Sequence, residues 1–172
     1  MKHNTKQLFV LMLSGMLALL LAFAPVSSVM ASTEPQEDID DKLSKAFAAE
    51  QNWLEKQATA IEKTEQVVEK TQGFIDSAAA QGLDVTVLEN ALAPFTAAMP
   101  TVRSYHQDAT GIIAAHEGFD ANGEVIDRPA ARETVKDARR ALGEAHMSMT
   151  QAFWALRDAI EEWKETTFPQ GA

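Results

Sequence analysis

The sequence feature that most constrains the fold is an apolar repeat that runs from Ala131 to Trp163. Alternating steps of four and three residues meet an apolar side chain every time, and alanine alternates with a bulkier residue. The repeat consists of Ala131, Val135, Ala138, Leu142, Ala145, Met149, Ala152, Leu156, Ala159 and Trp163. This spacing places all of them on one face of an α-helix, and alanine lets a neighbouring helix approach closely. The pattern therefore predicts a helix that packs against other helices along its whole length.

An earlier stretch has a seven-residue repeat made of apolar doublets. The doublets are Ala46–Phe47, Trp53–Leu54, Ala60–Ile61, Val67–Val68 and Phe74–Ile75. The positions between them are mostly polar: Glu50, Gln57, Thr64 and Thr71. Either this polar column faces a partly hydrated interface, or the helix is rotated so that both members of each doublet face its neighbours. We expect the second arrangement, because a helix in a three-helix bundle contacts two others and needs a broad apolar face.

The middle stretch, from Leu88 to His116, returns to steps of four and three. Pro94 and Pro100 each remove a helical hydrogen bond, but the apolar period continues across both. This continuity predicts a bent helix without a chain break. Glycine at position 82 and the glycine-rich segment 118–123 predict the two reversals between the three helical stretches.

Together these patterns predict an all-α fold: an elongated antiparallel up-down-up three-helix bundle with coiled-coil-like heptad packing. The bundle is expected over residues 38–167, with helices at about 38–81, 85–117 and 128–166. Residues 32–37 are expected to form a polar lead-in, and residues 168–172 a frayed tail.

The N-terminus has the organisation of a secretory signal peptide. Lys2 and Lys6 precede an apolar run from Leu8 to Phe23, and small or aliphatic residues end at Ala31. We expect residues 1–31 to be the signal and cleavage to follow Ala31. The alternative is a retained membrane anchor, for which the run is short. The protein is therefore expected to be exported, to the bacterial periplasm, the cell envelope or the exterior, with no stable membrane span after cleavage.

The composition restricts the classes of partner and cofactor. The whole chain has a formal charge of −10, and the chain without residues 1–31 a charge of −12. Such an acidic protein lacks the cationic surface that nucleic acid requires, so we expect no nucleic-acid partner. The chain has no cysteine, which excludes disulfides, thiolate metal sites and a lipidated cysteine anchor. We expect no cofactor.

Two histidines are candidates for special roles: His106 in the middle stretch and His146 in the last stretch. His106 occupies an inward position near the level of Gln57, with Leu142 and Arg139 close by. A buried polar pair of this kind usually fixes the register of helices, so we expect His106 and Gln57 to act in this way. His146 and Met149 share a helix face, and Met99 falls at their level, so these three form a weak candidate copper site.

The acidic loop after the middle stretch is the second weak candidate for metal binding. Asp120, Asn122, Glu124 and Asp127 resemble part of a calcium-binding loop, but the positions of both anchoring ligands are occupied by other residues. A plain glycine turn is the simpler interpretation.

No arrangement of residues in the sequence indicates catalysis. There is no glycine-rich phosphate loop and no haem attachment sequence, so we expect the protein not to be an enzyme.

The apolar repeat does not require Trp154 and Met147, which lie on the outer side of the last helix. Exposed large apolar groups mark partner surfaces, so Trp154, Met147 and Trp53 are candidates for binding a protein partner, either a different protein or a second copy of this chain.

The chain resembles no family that its motifs identify. The main hypothesis is an exported, acidic, non-enzymatic helical protein that binds another protein or associates with the envelope. The first alternative is binding or sequestration of copper or calcium. The second is a small-ligand carrier with a cavity near Pro94 and Pro100.

Overall fold

The structure is a computed structural model that describes residues 39–168. In this range the chain forms three α-helices and no strand beyond a single bridge between Phe119 and Val125. Helix α1 spans Ile39–Ala80, α2 spans Thr86–Ala115 and α3 spans Arg128–Thr167. The predicted all-α fold with three helices is confirmed. The predicted signal peptide, cleavage site and lead-in, together with residues 169–172 of the predicted tail, lie outside the described residues.

The ends of the helices follow the backbone chemistry of a few residues. Helix α2 is continuous through Pro94 and Pro100. It ends two residues before the predicted position 117, because His116 adopts a positive φ of 38° and leaves the helix. Gly82, with a φ of 78°, stops α1 and begins the first reversal, and the Leu83 amide donates to the Ala78 carbonyl at 3.2 Å. No helix among residues 39–168 is both long and apolar enough to cross a membrane.

The helices contribute to two compact units. One unit contains residues 64–96 and 153–168, including the reversal at Gly82, and is called here the turn unit. The other contains residues 39–63 and 97–152, including the loop at 116–127, and is called the loop unit.

The turn unit has an apolar interior that is closed by Trp163. Ile75, Leu88 and Phe95 are among its fully buried side chains. The indole N–H of Trp163 donates to the Asp84 carbonyl at 2.6 Å, and the Phe74 ring meets the Trp163 ring edge-on at 5.3 Å. These contacts tie α3 to the reversal, so the last position of the predicted apolar repeat acts as an anchor.

The loop unit has an apolar interior in which alanines of α3 face bulkier residues. Ala131, Ala138 and Leu142 lie in one buried cluster with Phe47 of α1 and Phe119 of the loop. The rings of Phe47 and Phe119 stack with centroids 4.2 Å apart. A second cluster contains Ile61, Met99, Val102 and Ala145. Three small residues of the α3 repeat, Ala131, Ala138 and Ala145, are therefore fully buried where the repeat predicts close packing.

The loop at 116–127 is folded tightly onto the start of α3. The Gly118 carbonyl accepts hydrogen bonds from the amides of Ile126 and Asp127, at 2.9 and 3.1 Å. The Asp127 carboxylate accepts from the Ala130 amide at 3.2 Å and so caps the helix. Arg128 also donates to both oxygens of Asp40, at 2.7 and 2.8 Å, which joins the beginnings of α1 and α3.

The polar column of α1 is the innermost part of its packed face. Glu50, Gln57, Thr64 and Thr71 are buried, each at most 2% exposed. Members of the doublets, such as Trp53 and Val68, are half-buried and flank this column. Because these polar groups are out of contact with bulk solvent, they need hydrogen-bond partners inside the fold.

Candidate functional site

The structure brings together the two residues that were expected to set the helix register. The Gln57 side-chain amide donates from Nε2 to the Leu142 carbonyl at 3.0 Å. The Gln57 Oε1 atom lies 3.1 Å from Nδ1 of His106. One side chain of α1 is thus bonded to both α2 and α3 within the loop unit.

This arrangement determines which nitrogen of His106 carries the proton. Since Gln57 uses its amide N–H toward Leu142, its oxygen faces His106 and can only accept. Neutral His106 therefore carries its hydrogen on Nδ1, and Nε2 is the acceptor. Burial lowers the pKa of His106 below its ordinary value of 6.5. The neutral form is favoured because the charged ring would lose hydration.

An ion pair between a buried carboxylate and an exposed guanidinium lies one heptad before Gln57. The Glu50 side chain is only 3% exposed, whereas that of Arg139 is 61% exposed. Arg139 donates from Nε at 2.8 Å and approaches through its terminal nitrogen at 2.7 Å, both to Oε1 of Glu50. The other oxygen, Oε2, is buried without a hydrogen-bond partner. The sequence pattern does not predict this pair, and its only signal there is the position of Glu50 in the polar column.

The candidate copper residues contact different neighbours. His146 meets the Trp53 ring edge-on, with ring centroids 6.3 Å apart. Met99 is buried in the cluster around Ile61, and Met149 packs against that cluster. The methionines therefore fill apolar space, which is a common use of this flexible side chain. No group of three or more His, Asp or Glu residues in the described range is placed to hold a metal ion.

The acidic loop uses its side chains to bond its own backbone. Asp120 Oδ1 accepts from the amides of Asn122 and Glu124 at 2.8 and 2.9 Å. These amide donors, Glu124 foremost, hold the pKa of Asp120 below its ordinary value. Asp127 is occupied as the helix cap. Two of the four candidate calcium ligands thus have structural roles in the turn and the cap.

Trp154 is an exposed aromatic residue within the turn unit. It retains 38% of its accessible surface. The guanidinium carbon of Arg157 lies 4.0 Å from the indole centroid, and the Phe153 ring lies edge-on at 5.6 Å. Arg157 is in turn held by Asp158, with N–O distances of 2.6 and 3.0 Å. We call the three residues Phe153, Trp154 and Arg157 the Trp154 patch.

The other two candidates for partner binding differ in exposure. Met147, in the loop unit, is 57% exposed. Trp53 is half-buried and packs against the apolar cluster of the loop unit, in addition to its contact with His146. Trp53 therefore has a structural role, and less of it is accessible to a partner.

An open groove runs between α2 and α3 on the loop unit. Its floor contains Gly111, Ile112 and Ala141, and its volume is about 560 Å³. It is followed by a second depression of about 330 Å³ that shares Gly111 and Ile112 and extends to Ala115 and Ala130. Neither depression is lined by Pro94 or Pro100, where the carrier hypothesis places a cavity.

Carboxylates line both sides of this groove. Asp108 and Glu117 belong to α2 and the residues after it, and Glu133, Asp137 and Glu144 belong to α3. Arg140 is the single basic residue of the lining, and it pairs with Asp137 at 3.1 Å. The groove combines an apolar floor with acidic edges.

Comparison of the chain with protein-family models, with curated proteins and with solved structures found no match. Function is therefore inferred from the chemistry of the surfaces described above.

Proposed function

We propose that the protein is an exported, non-enzymatic helical module that binds another protein through the Trp154 patch. The observation that carries this proposal is the exposed indole of Trp154, with Arg157 stacked on it at 4.0 Å. Tryptophan and arginine are the residue types most enriched among side chains that dominate the energy of protein interfaces.

The indole of Trp154 is not required by the packing of α3. The inward positions nearby are Leu156, Ile160 and Trp163, and all three are buried. Trp154 therefore adds apolar surface outside the core. Its contacts with Phe153 and Arg157 also limit its rotamers, so less conformational entropy is lost when a partner covers it.

The charge of the chain supports a protein partner over nucleic acid. The sequence has 25 acidic and 15 basic residues, so phosphate groups would meet a repulsive surface. Arg157 presents a planar donor group beside an apolar ring, which suits a partner surface that has both carbonyl or carboxylate acceptors and an apolar side chain.

Export and topology complete the proposal. The basic start, apolar run and small residues before position 32 support a signal peptide that is cleaved after Ala31. The short connections between the helices support an antiparallel up-down-up arrangement with heptad packing. An exported protein of this kind contacts its partner in the periplasm, the cell envelope or the exterior.

Affinity capture from the cell envelope with matched variants tests the surface assignment. The wild-type protein is compared with Trp154→Ala and with Val87→Ala. Val87 is a suitable control because it is an apolar residue of the same unit with a similar exposed fraction, 37%. We expect Trp154→Ala to lose a partner that the wild type and Val87→Ala both retain.

Circular dichroism of each variant establishes that the helices are intact. Identical partner sets for the three proteins would remove the Trp154 patch from consideration. Loss of the same partner by both Trp154→Ala and Val87→Ala would show that the loss is not specific to the Trp154 patch, and this would contradict the assignment.

A further inference from the structure

We propose that the groove between α2 and α3 of the loop unit binds a basic amphipathic helix of another protein. This site lies apart in the sequence from the Trp154 patch, and the inference does not depend on that patch. The groove is lined by residues between Tyr105 and Glu117 on one side and between Ala130 and Glu144 on the other.

The shape of the groove suits a helix. Its two walls are helices, so a third rod-like element can lie in the depression between them, as ridges pack into grooves in helical proteins. Residues 105–115 of α2 extend over about 15 Å, which corresponds to roughly three helical turns of a partner. Gly111 lies in the floor, and a Cβ atom added there would meet nothing within 4 Å. The partner's side chains can therefore approach the α2 backbone closely.

The floor offers apolar contact to such a partner. Ile112 packs against the apolar cluster of the loop unit but is only half-buried, so part of its side chain is accessible in the groove. Ala141 also lines the groove, but it is 7% exposed and adds little contact. Ala115 and Ala130 continue this small, apolar surface into the second depression. An amphipathic helix would place residues at positions i, i+3 and i+7 along this floor.

The charged residues at the edges of the groove favour a partner with positive charge. Five carboxylates and one guanidinium line the groove. Asp137 pairs with Arg140, and Glu133 pairs with Lys136 at 2.7 Å. Asp108, Glu117 and Glu144 form no salt bridge with any residue of the described range. Carboxylates on both edges complement lysine or arginine on the two flanks of an apolar helix face.

The same charges disfavour a second copy of the chain as the occupant. The protein has a formal charge of −10, so another copy would bring mostly like charge to an acidic groove. Like charges across an interface oppose association. A basic helix of a different protein avoids this repulsion.

The test measures binding of synthetic helical peptides to the purified protein by fluorescence anisotropy. One labelled peptide has leucines at i, i+3 and i+7 with flanking lysines. A second has glutamates in place of the lysines, and a third has the composition of the first in scrambled order. We expect the first peptide to bind, with an affinity that falls as salt increases, and the other two to bind at least about tenfold more weakly.

Two sets of variants locate the binding site. The variant Asp108→Asn/Glu117→Gln/Glu144→Gln removes the unpaired edge charges, and we expect it to weaken binding about tenfold. Gly111→Trp fills the floor with an indole and should weaken binding by about tenfold or more. Gly73→Trp is the matched control, because Gly73 is also an exposed helical glycine whose added Cβ would meet nothing within 4 Å.

The outcomes separate this site from the Trp154 patch. Gly73→Trp and Trp154→Ala should bind the basic peptide like the wild type. Failure of the basic peptide to bind, or equal binding of the acidic peptide, would overturn the proposal. Binding that is unchanged by Gly111→Trp and by the triple variant, with both proteins folded, would overturn it as well.

Discussion

The packing of the loop onto α3 makes Gly118 the most restrictive glycine of the described chain. Gly118 has a φ of 84°, and a Cβ added there would lie 2.1 Å from the Ala131 nitrogen and 2.6 Å from the Asp127 oxygen. Both are backbone atoms, so no side-chain rotation can relieve the overlap. A substitution must displace either the loop or the first turn of α3, where Asp127 caps the helix.

The cost of Gly118→Ala has two parts. The left-handed backbone conformation costs an alanine about 1–2 kcal/mol relative to the right-handed region. Forcing the added methyl group against the α3 backbone costs about 1–3 kcal/mol more. We therefore expect Gly118→Ala to lower the free energy of unfolding by about 2–5 kcal/mol.

Gly123→Ala is the matched control for this prediction. Gly123 belongs to the same loop and has a φ of 82°, but its nearest neighbour to an added Cβ is Cδ1 of Phe47 at 3.8 Å. This variant should lose only the backbone contribution, about 1–2 kcal/mol. Urea denaturation followed by circular dichroism measures both. Losses that agree within about 0.5 kcal/mol would refute the close packing of the loop against α3.

Three further predictions concern the polar groups of the loop unit. Gln57→Leu leaves the Leu142 carbonyl and His106 without their partner and should lower the free energy of unfolding by about 1–3 kcal/mol, as measured by urea denaturation. Arg139→Met removes the cation beside the buried Glu50 carboxylate and should lower the free energy of unfolding by about 1–3 kcal/mol, less than for a fully buried pair because the Arg139 side chain is 61% exposed. An unchanged urea midpoint would show that the ion pair contributes nothing. Burial lowers the pKa of His106 in the folded protein, so as the pH falls the unfolded chain takes up a proton before the folded one does. The stability that comes from the neutral ring is therefore fully present above the unfolded-state pKa of 6.5 and is lost as the pH falls below it. Unfolding free energies measured across this range should therefore fall more steeply for the wild type than for His106→Gln, and parallel curves would contradict the assignment.

The helices were predictable because their patterns are redundant. In α3 every position of the four-three repeat from Ala131 to Trp163 is apolar, so an error at one position would not change the conclusion. Counting residues outward from the two reversals also placed His106 near Gln57, which the structure shows in contact at 3.1 Å.

The tertiary polar contacts were less predictable, because they depend on helix rotation and on long-range pairing. The sequence places Glu50 in a polar column. Its pairing with Arg139, 89 residues away, depends on how two helices are rotated relative to each other, which the pattern does not give. Likewise, aspartates such as Asp120 and Asp127 occur both in calcium-binding loops and in capped turns, so the residue type alone does not tell the two apart. Only the direction of the backbone amides distinguishes the two.

The groove between α2 and α3 could not be predicted from periodicity. Its existence depends on the distance between two helices, and Gly111 is one of the residues that line it. In the sequence, a single glycine in a helical pattern indicates only a local loss of helix propensity. Its role in the floor of a groove becomes apparent once the facing residues of α3 are placed.

The central claim, that Trp154 forms a partner surface, is tested most directly by photo-crosslinking in intact cells. A photoreactive phenylalanine analogue is introduced at position 154 and, in a separate protein, at the comparably exposed position 87. We expect irradiation to link position 154 to one specific protein, with no such product from position 87. Absence of a product at position 154, or the same product from both positions, would contradict the account.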